Sequence, residues 1–231
     1  MSEEFGVKGK RIAFLGNISH KKGPMLLLHA CKAIYDYDNE FTFHIGGAMQ
    51  DPRFAVYFDT AIPELGLSDA IHYYGFIEDS MKWMEDKDFL LVTSPLEGMP
   101  VGVLEGLQCG LTPLIYSFVG AKGLYPPDFI WITLNDLVEM VKGGPREPQI
   151  FKDFVKNNFS QASQFEKLDK IVEDLLEDVE NIQEIAQPGT VSCILAVKNG
   201  EKTIKRALDS LLKQTKPLEK IIIVDDASTD G

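Results

Sequence analysis

The 231-residue chain has no run of about 18 consecutive apolar residues, the length a helix needs to cross a bilayer. Its opening residues, MSEEFGVKGK, are polar and acidic, unlike a secretory signal peptide, so a soluble cytoplasmic protein is expected. Cysteine is scarce. Cys31, Cys109 and Cys193 show no paired spacing, which argues against a disulfide framework and leaves each expected as a small buried hydrophobe. Positive charge is also short, with 23 Lys and Arg against 35 Asp and Glu and a net charge of -12. A chain so acidic has no broad basic face for phosphate neutralisation, so nucleic acid is not an expected partner. Of the four histidines, His29, His44 and His72 form no pair with metal-ligand spacing, and no metal site is expected. Neither Ser94 nor Cys109 has a neighbouring His and acid for nucleophilic catalysis. Internal repeats and low-complexity tracts are absent.

What remains is an ordinary globular composition, 45% hydrophobic, arranged as short apolar runs alternating with helical patterns. RIAFLG precedes MLLLHACKAIYDY, FTFHIGG precedes RFAVYFDTAIPELG, IHYYGF precedes SMKWMED, and FLLVTS precedes PVGVLEGLQC and then TPLIYS. Strands and helices in this alternation make βαβ units, and hence an α/β fold with a Rossmann-like parallel sheet and helices on both faces. Pro24 and Pro100 stand where a first helical residue is expected, and Gly110 stands just past a helix end.

GGPREPQ at 143–149 reads as a loop. Beyond it Phe165, Leu168, Ile171, Val172, Leu175, Val179 and Ile182 recur at helical spacing, which predicts one packed face and one solvated acidic face. The texture changes at AQPGT. VSCILAVKN then predicts a strand, GEKTIKRALDSLLKQT a helix with Ile204, Ala207, Leu208, Leu211 and Leu212 on one face, and LEKIIIVDDASTDG a second strand. The expected division is therefore 1–185 and 186–231, the second part being an incomplete βαβ unit too small to enclose a core.

Charge is uneven along the chain. From Phe5 to Tyr35 there is no Asp or Glu, while Lys8, Lys10, Arg11, Lys21, Lys22 and Lys32 fall in that window. The turn GNISHKKGP lies between the first strand and the helix starting near Pro24, at the edge of the sheet where α/β proteins bind ligands and where a helix N-terminus attracts phosphate. By itself this loop is equally a solubilising surface turn. A second feature, SPLEGMPVGVLEGLQCG, places Glu97 in a strand-to-helix turn and Glu105 eight residues on, inside an apolar helix. A carboxylate on such a helix is costly to bury without a donor. A ribose diol offers two, and the amides of Met99, Val101 and Gly102 are candidates for sugar hydroxyls or phosphate, with Gly98 admitting close approach. The plainer alternative is an exposed helix glutamate with a second one favoured by the helix dipole. Gly46 and Gly47 end a strand at the crevice edge, as a turn or as an approach to a nucleotide base.

FLGNISHKKG together with SPLEGMPVGVLEGLQCGLTPLI resembles the donor-binding, C-terminal half of the GT-B retaining glycosyltransferases of family 4, and YYGFIEDSMKWMEDKDFLLVTS is similar to the segment between these motifs. The resemblance covers roughly residues 10 to 180. It implies a nucleotide diphosphate sugar as donor, with a hexosyl group passing to a glycan or lipid-linked acceptor. It implies that Glu105 binds the ribose, that Glu97 meets the donor sugar as the catalytic residue, that Lys22 neutralises the diphosphate and that Gly16 brings backbone near the phosphates. No cofactor or metal is implied for this domain, since Lys22 and the helix N-termini supply the positive charge.

Two departures matter. The family usually has Arg where this chain has Asn17, so one of two cations that stabilise the leaving diphosphate is absent; His20 and Lys21 are candidates for a partial substitute, at positions that vary in the family. The resemblance also implies an acceptor-binding domain ahead of this one, and only about ten residues precede the first strand. That domain is expected to be missing, the chain to be an excerpt that is weakly active or inactive alone, and peripheral membrane association of a full-length protein stays open. The tail is similar to the start of a family 2 GT-A glycosyltransferase, which implies a nucleotide-binding role for Asp225 or Asp226. The alternatives to a transferase are a non-catalytic nucleotide-sugar sensor or scaffold, and an epimerase or hydrolase of the same layout.

Overall fold

The computed structural model describes residues 6–179 and 190–230, with the side chains of 173–179 excepted. The chain divides into two compact units between Lys167 and Leu168. In the first, β1 (Arg11–Leu15) leads through a 3-10 turn, His20–Lys22, to α1 (Pro24–Tyr37), followed by β2 (Thr42–Gly46), α2 (Pro52–Glu64), β3 (Ile71–Gly75) and α3 (Ser80–Met84). Then come β4 (Phe89–Val92), α4 (Val101–Cys109), β5 (Thr112–Tyr116), α5 (Ala121–Leu124), β6 (Ile130–Trp131), α6 (Leu134–Lys142) and α7 (Pro148–Phe159), and α8 (Gln161–Val179) spans the division.

The six strands form one sheet in the order β3-β2-β1-β4-β5-β6, and every pairing is parallel. This is the Rossmann-like α/β class expected. Alternation along β1 shows why both faces are covered. Ile12 and Phe14 enter one core with Leu27, Leu28 and Ile34 of α1, whereas Ala13 enters the other with Val103 and Leu107 of α4. The unbroken apolar run from Ile12 to Leu15 is what a two-sided layer requires. The strand order reverses between β1 and β4, so the loops leaving their carboxyl ends diverge around a crevice.

The start of β1 is fixed by charge. Arg11 is buried, and the Asp88 carboxylate accepts from the backbone amides of Gly9 and Arg11 at 2.9 Å each and from Arg11 Nε at 3.4 Å. The pair ties β1 to β4 at the end of the sheet remote from the crevice, and each partner removes the other's desolvation cost.

Several expectations are corrected. α4 begins at Val101, with Pro100 as the residue before it, whereas Pro24 is the first residue of α1. The loop expected at 143–149 ends earlier because Pro148 opens α7, a position where its missing N–H costs nothing. Cys31 is buried as expected, but Cys109 and Cys193 are half-buried. Phe165, Leu168, Ile171 and Val172 of α8 are each more than half exposed, so this stretch is not packed as its spacing predicted: periodicity defines a face without supplying its partner. The side chains of Leu175 and Val179, the residue Ile182 and the boundary expected at 185/186 lie outside the described residues.

In the second unit β7 (Ser192–Val197), α9 (Ile204–Leu212) and β8 (Lys220–Asp225) make a single βαβ unit, its two strands parallel from Ser192↔Lys220 to Val197↔Asp225. None of its described residues is buried. Ile204, Ala207, Leu208 and Leu211 are half-buried and Leu212 is exposed, the outcome expected of a single crossover too small to enclose a core.

Candidate functional site

Past the end of β1 the backbone keeps its pairing with the continuation of β2. Gly16 N donates to Gly46 O at 2.9 Å and Ile18 N to Ala48 O at 2.8 Å. Between them the Ala48 amide donates to the Asn17 side-chain oxygen, also at 2.9 Å. Asn17 is thus a link in the ladder between two loops, and it does not line the crevice.

The 3-10 turn that follows ends at Gly23, which has φ 63° and ψ 49°. A Cβ there would lie 2.2 Å from the Thr93 carbonyl oxygen, so only glycine permits both the left-handed backbone and this approach. The Thr93 hydroxyl donates to Lys22 O at 2.9 Å, which locks the turn against the exit of β4. With the turn fixed, the stem of Lys22 lies across Gly16, where a Cβ would stand 3.2 Å from Lys22 Cε. A bare backbone at 16 lets the amine reach across the crevice.

It reaches Glu97. Lys22 Nζ donates to Glu97 Oε1 at 2.5 Å, and Lys21 Nζ stands 3.3 Å from Glu97 Oε2. The Glu97 side chain is only 4% exposed, against 26% for Lys22 and 57% for Lys21. Burial pushes the Glu97 pKa up, but hydrogen bonds from Lys22, Ser94 and Lys21 and the Lys22 charge outweigh it and hold the carboxyl below its usual range. The group is therefore ionised at neutral pH and fixed in place.

On the opposite wall α4 starts with no side chain capping its amides, and it points that N-terminus into the crevice. Glu105, half-buried on this helix, accepts a 2.9 Å hydrogen bond from the Ser80 hydroxyl at the start of α3. One carboxylate has about four acceptor positions, so room remains for a diol.

Together these groups line a cavity of about 420 Å³, of the size that holds a small ligand. Among the residues proposed from the sequence, Gly16, Lys22, Glu97, Met99, Val101, Gly102 and Glu105 line it; Asn17 and Gly98 do not. Gly98 is exposed with no atom within 4 Å of its Cβ position. Lys21, considered only as a partial substitute for the absent arginine, lines the cavity, whereas His20 faces the other way and stacks on Phe54. Ser80 was missed altogether, since a lone serine at a helix start carries no signal of which distant carboxylate it will meet. Gly46 and Gly47 stay outside the cavity.

In the second unit Asp225 and Asp226 have separate partners. Asp225 accepts from the Ser228 amide at 3.2 Å, and Asp226 pairs with Lys198 at 3.5 Å. Asp225 lines a cavity of about 250 Å³ with Gly200, Glu201 and Asp230; Asp226 does not. Among the described residues, no group of three or more His, Cys, Asp and Glu is placed to hold a metal ion.

A parallel sheet with an anion-competent crevice at its reversal point defines a ligand-binding α/β domain, and comparison with known proteins gives its family. The sequence model of glycosyl transferases group 1 matches residues 2–125, more than half of the chain. The chain belongs to the group 1 glycosyl transferases. A second model, glycosyl transferase family 2, matches residues 192–231. No curated protein matches. Solved structures share the fold: HepE of Anabaena in complex with UDP and glucose, with a TM-score of 0.62 and 15% identity over 72% of this chain and 49% of that one; the pneumococcal O-GlcNAc transferase GtfA with UDP and GlcNAc, at 0.58 and 16% over 75% and 37%; and a sucrose-phosphate synthase of Thermosynechococcus elongatus, at 0.58 and 15% over 73% and 46%. The chain thus spans about half of these proteins or less.

Proposed function

We propose that this domain is the donor half of a retaining GT-B glycosyltransferase, binding a nucleotide diphosphate sugar whose hexosyl group passes to a glycan or lipid-linked acceptor. The observation that carries the reading is the convergence of Lys21, Lys22, Glu97, Glu105 and the α4 N-terminus on one cavity at the β1–β4 reversal. Each group has a complementary part of such a donor. Glu105 accepts from the ribose hydroxyls. The α4 amides and Lys22 face the diphosphate, with Lys21 beside Glu97, and they supply the charge stabilisation that a departing diphosphate needs without a metal. Glu97 accepts from hydroxyls of the sugar. HepE and GtfA, bound to UDP in their structures, support the choice of nucleotide class. Transfer also needs an acceptor-binding domain facing this crevice, because positioning and water exclusion are shared between the two halves of the site.

Calorimetric titration with UDP, GDP and ADP tests the donor site. One of them is expected to bind in the micromolar range, and Glu105→Gln to weaken it about tenfold or more, the worth of hydrogen bonds to a charged acceptor. If none binds, the donor reading falls. A non-catalytic sensor is the second reading, favoured by Asn17, whose side chain is committed to Ala48 where the related enzymes usually carry a cation. Sugar release from a donor in the presence of an added acceptor domain separates the two.

A further inference from the structure

The cavity holds its own anion. Glu97 is nearly sealed from solvent, with its carboxylate oxygens against Lys22 and Lys21, and Lys22 is the amine that reaches across the bare backbone of Gly16. A diphosphate placed over Gly16 therefore meets a lysine already in use and a fixed negative charge beside it. Glu97 has little freedom to turn away, because its side chain is only 4% exposed and both carboxylate oxygens are engaged by lysines. Lys22, whose stem already lies across Gly16, is the partner placed to turn to a phosphate there.

Resting on the donor-site reading above, we propose that Glu97 determines specificity for the intact donor over its released nucleotide, by competing with the diphosphate for Lys22. When Lys22 swings to the phosphates, Glu97 loses its closest donor. A donor sugar restores the loss, since its hydroxyls can donate to the vacated Oε1. A nucleoside diphosphate without sugar has no group to offer there, so it leaves a buried carboxylate short of partners and faces its repulsion as well. Sites built to hydrogen-bond a substrate hydroxyl reject analogues that lack it for this reason. The same competition hastens departure of the product after transfer. Lys21, more exposed and 3.3 Å from the other oxygen, stays with Glu97 during the exchange and keeps its charge partly balanced.

The test titrates the full chain with inorganic pyrophosphate, which probes the phosphate seat alone, with UDP, and with UDP-glucose. Glu97→Gln removes the competing charge while keeping the shape. It is expected to bind pyrophosphate and UDP about tenfold tighter than the wild-type protein, like-charge opposition being the term removed, and to lose preference for UDP-glucose over UDP. Most of the gain should be lost when Lys22→Ala is added, because no amine is then released and only the relief of like-charge opposition remains. Glu97→Asp, which keeps the charge but shortens the reach to Lys22, should bind pyrophosphate with intermediate strength and serves if the glutamine variant fails to fold. Pyrophosphate affinity that is unchanged or weaker in a folded Glu97→Gln or Glu97→Asp variant overturns the proposal. If the wild-type protein binds none of the nucleotides, the donor reading fails instead, and tighter pyrophosphate binding by Glu97→Gln would still establish the competition.

Discussion

Asn17 shows how a single side chain changes meaning between sequence and structure. On the resemblance alone it stands where a phosphate-binding arginine is usual, and an Asn17→Arg change reads as a repair. In the fold its oxygen accepts from the Ala48 amide, within the backbone ladder that carries Gly16 and Ile18 beyond β1. An arginine has no acceptor to offer that amide. Asn17→Arg is therefore expected to lower stability by about 1 kcal/mol, the cost of a lost hydrogen bond to a half-buried amide, read as a shift of the urea midpoint. With Lys21 already beside Glu97, the added cation should improve UDP affinity by less than about threefold, a change far below what a buried charge pair commands. A larger gain would show that the site does lack a second cation.

Among the elements, the β2–β3 pair carries an unusual polar cluster. His44 on β2 is 2% exposed, with its two ring nitrogens 2.8 Å from the Tyr74 hydroxyl and 3.1 Å from the Thr42 hydroxyl, and its ring is 5.3 Å from that of His72 on β3. Burial, helped by the Lys87 charge, lowers the His44 pKa to about 3. In the unfolded chain the same group titrates near its ordinary value, about 6.5. Below that value the unfolded state binds a proton that the native state refuses, so stability present above pH 6.5 is lost progressively as pH falls toward 3. By pH 5 the loss is about 2 kcal/mol from this group. Urea unfolding between pH 7 and 5 should show it, and a His44→Gln variant should show a shallower slope; parallel slopes would remove His44 as the source. Nothing in FTFHIGG foretold this cluster. The strand itself was legible from its apolar run, as were β1, β4 and the helices behind them, because sheet and helix periodicities are local. Glu97 and Glu105 were legible as a spaced pair and Lys22 as a turn lysine. Ser80 and the Glu97 bridge to Lys21 were not, since contacts 25 and 76 positions apart in sequence arise only when α3, α4 and the 3-10 turn converge.

At the scale of the whole molecule the two units differ in kind. The first has two cores, one on each face of its sheet, built around fully buried residues such as Phe43, Phe89, Trp131 and Phe151. The second pairs β7 with β8 in full register, yet none of its described residues is buried, and Ile194, Ile222, Ile223 and Val224 are 46% exposed or more. Local stability follows buried apolar contact, because a backbone hydrogen bond protected only by exposed side chains opens without disrupting a core. Hydrogen exchange followed by mass spectrometry is the direct measure. Amides of β1, β2, β4 and β5 should exchange only through global opening, while those of β7 and β8 should exchange at least about a hundredfold faster, a gap of a few kcal/mol in opening free energy. Adding the nucleotide that binds should slow exchange in the 3-10 turn and at the start of α4, and leave β7 and β8 unchanged. Comparable protection of β7 and β1 would mean that the second unit is held by a core of its own or by a partner, and would overturn this account of where the stability of the molecule resides.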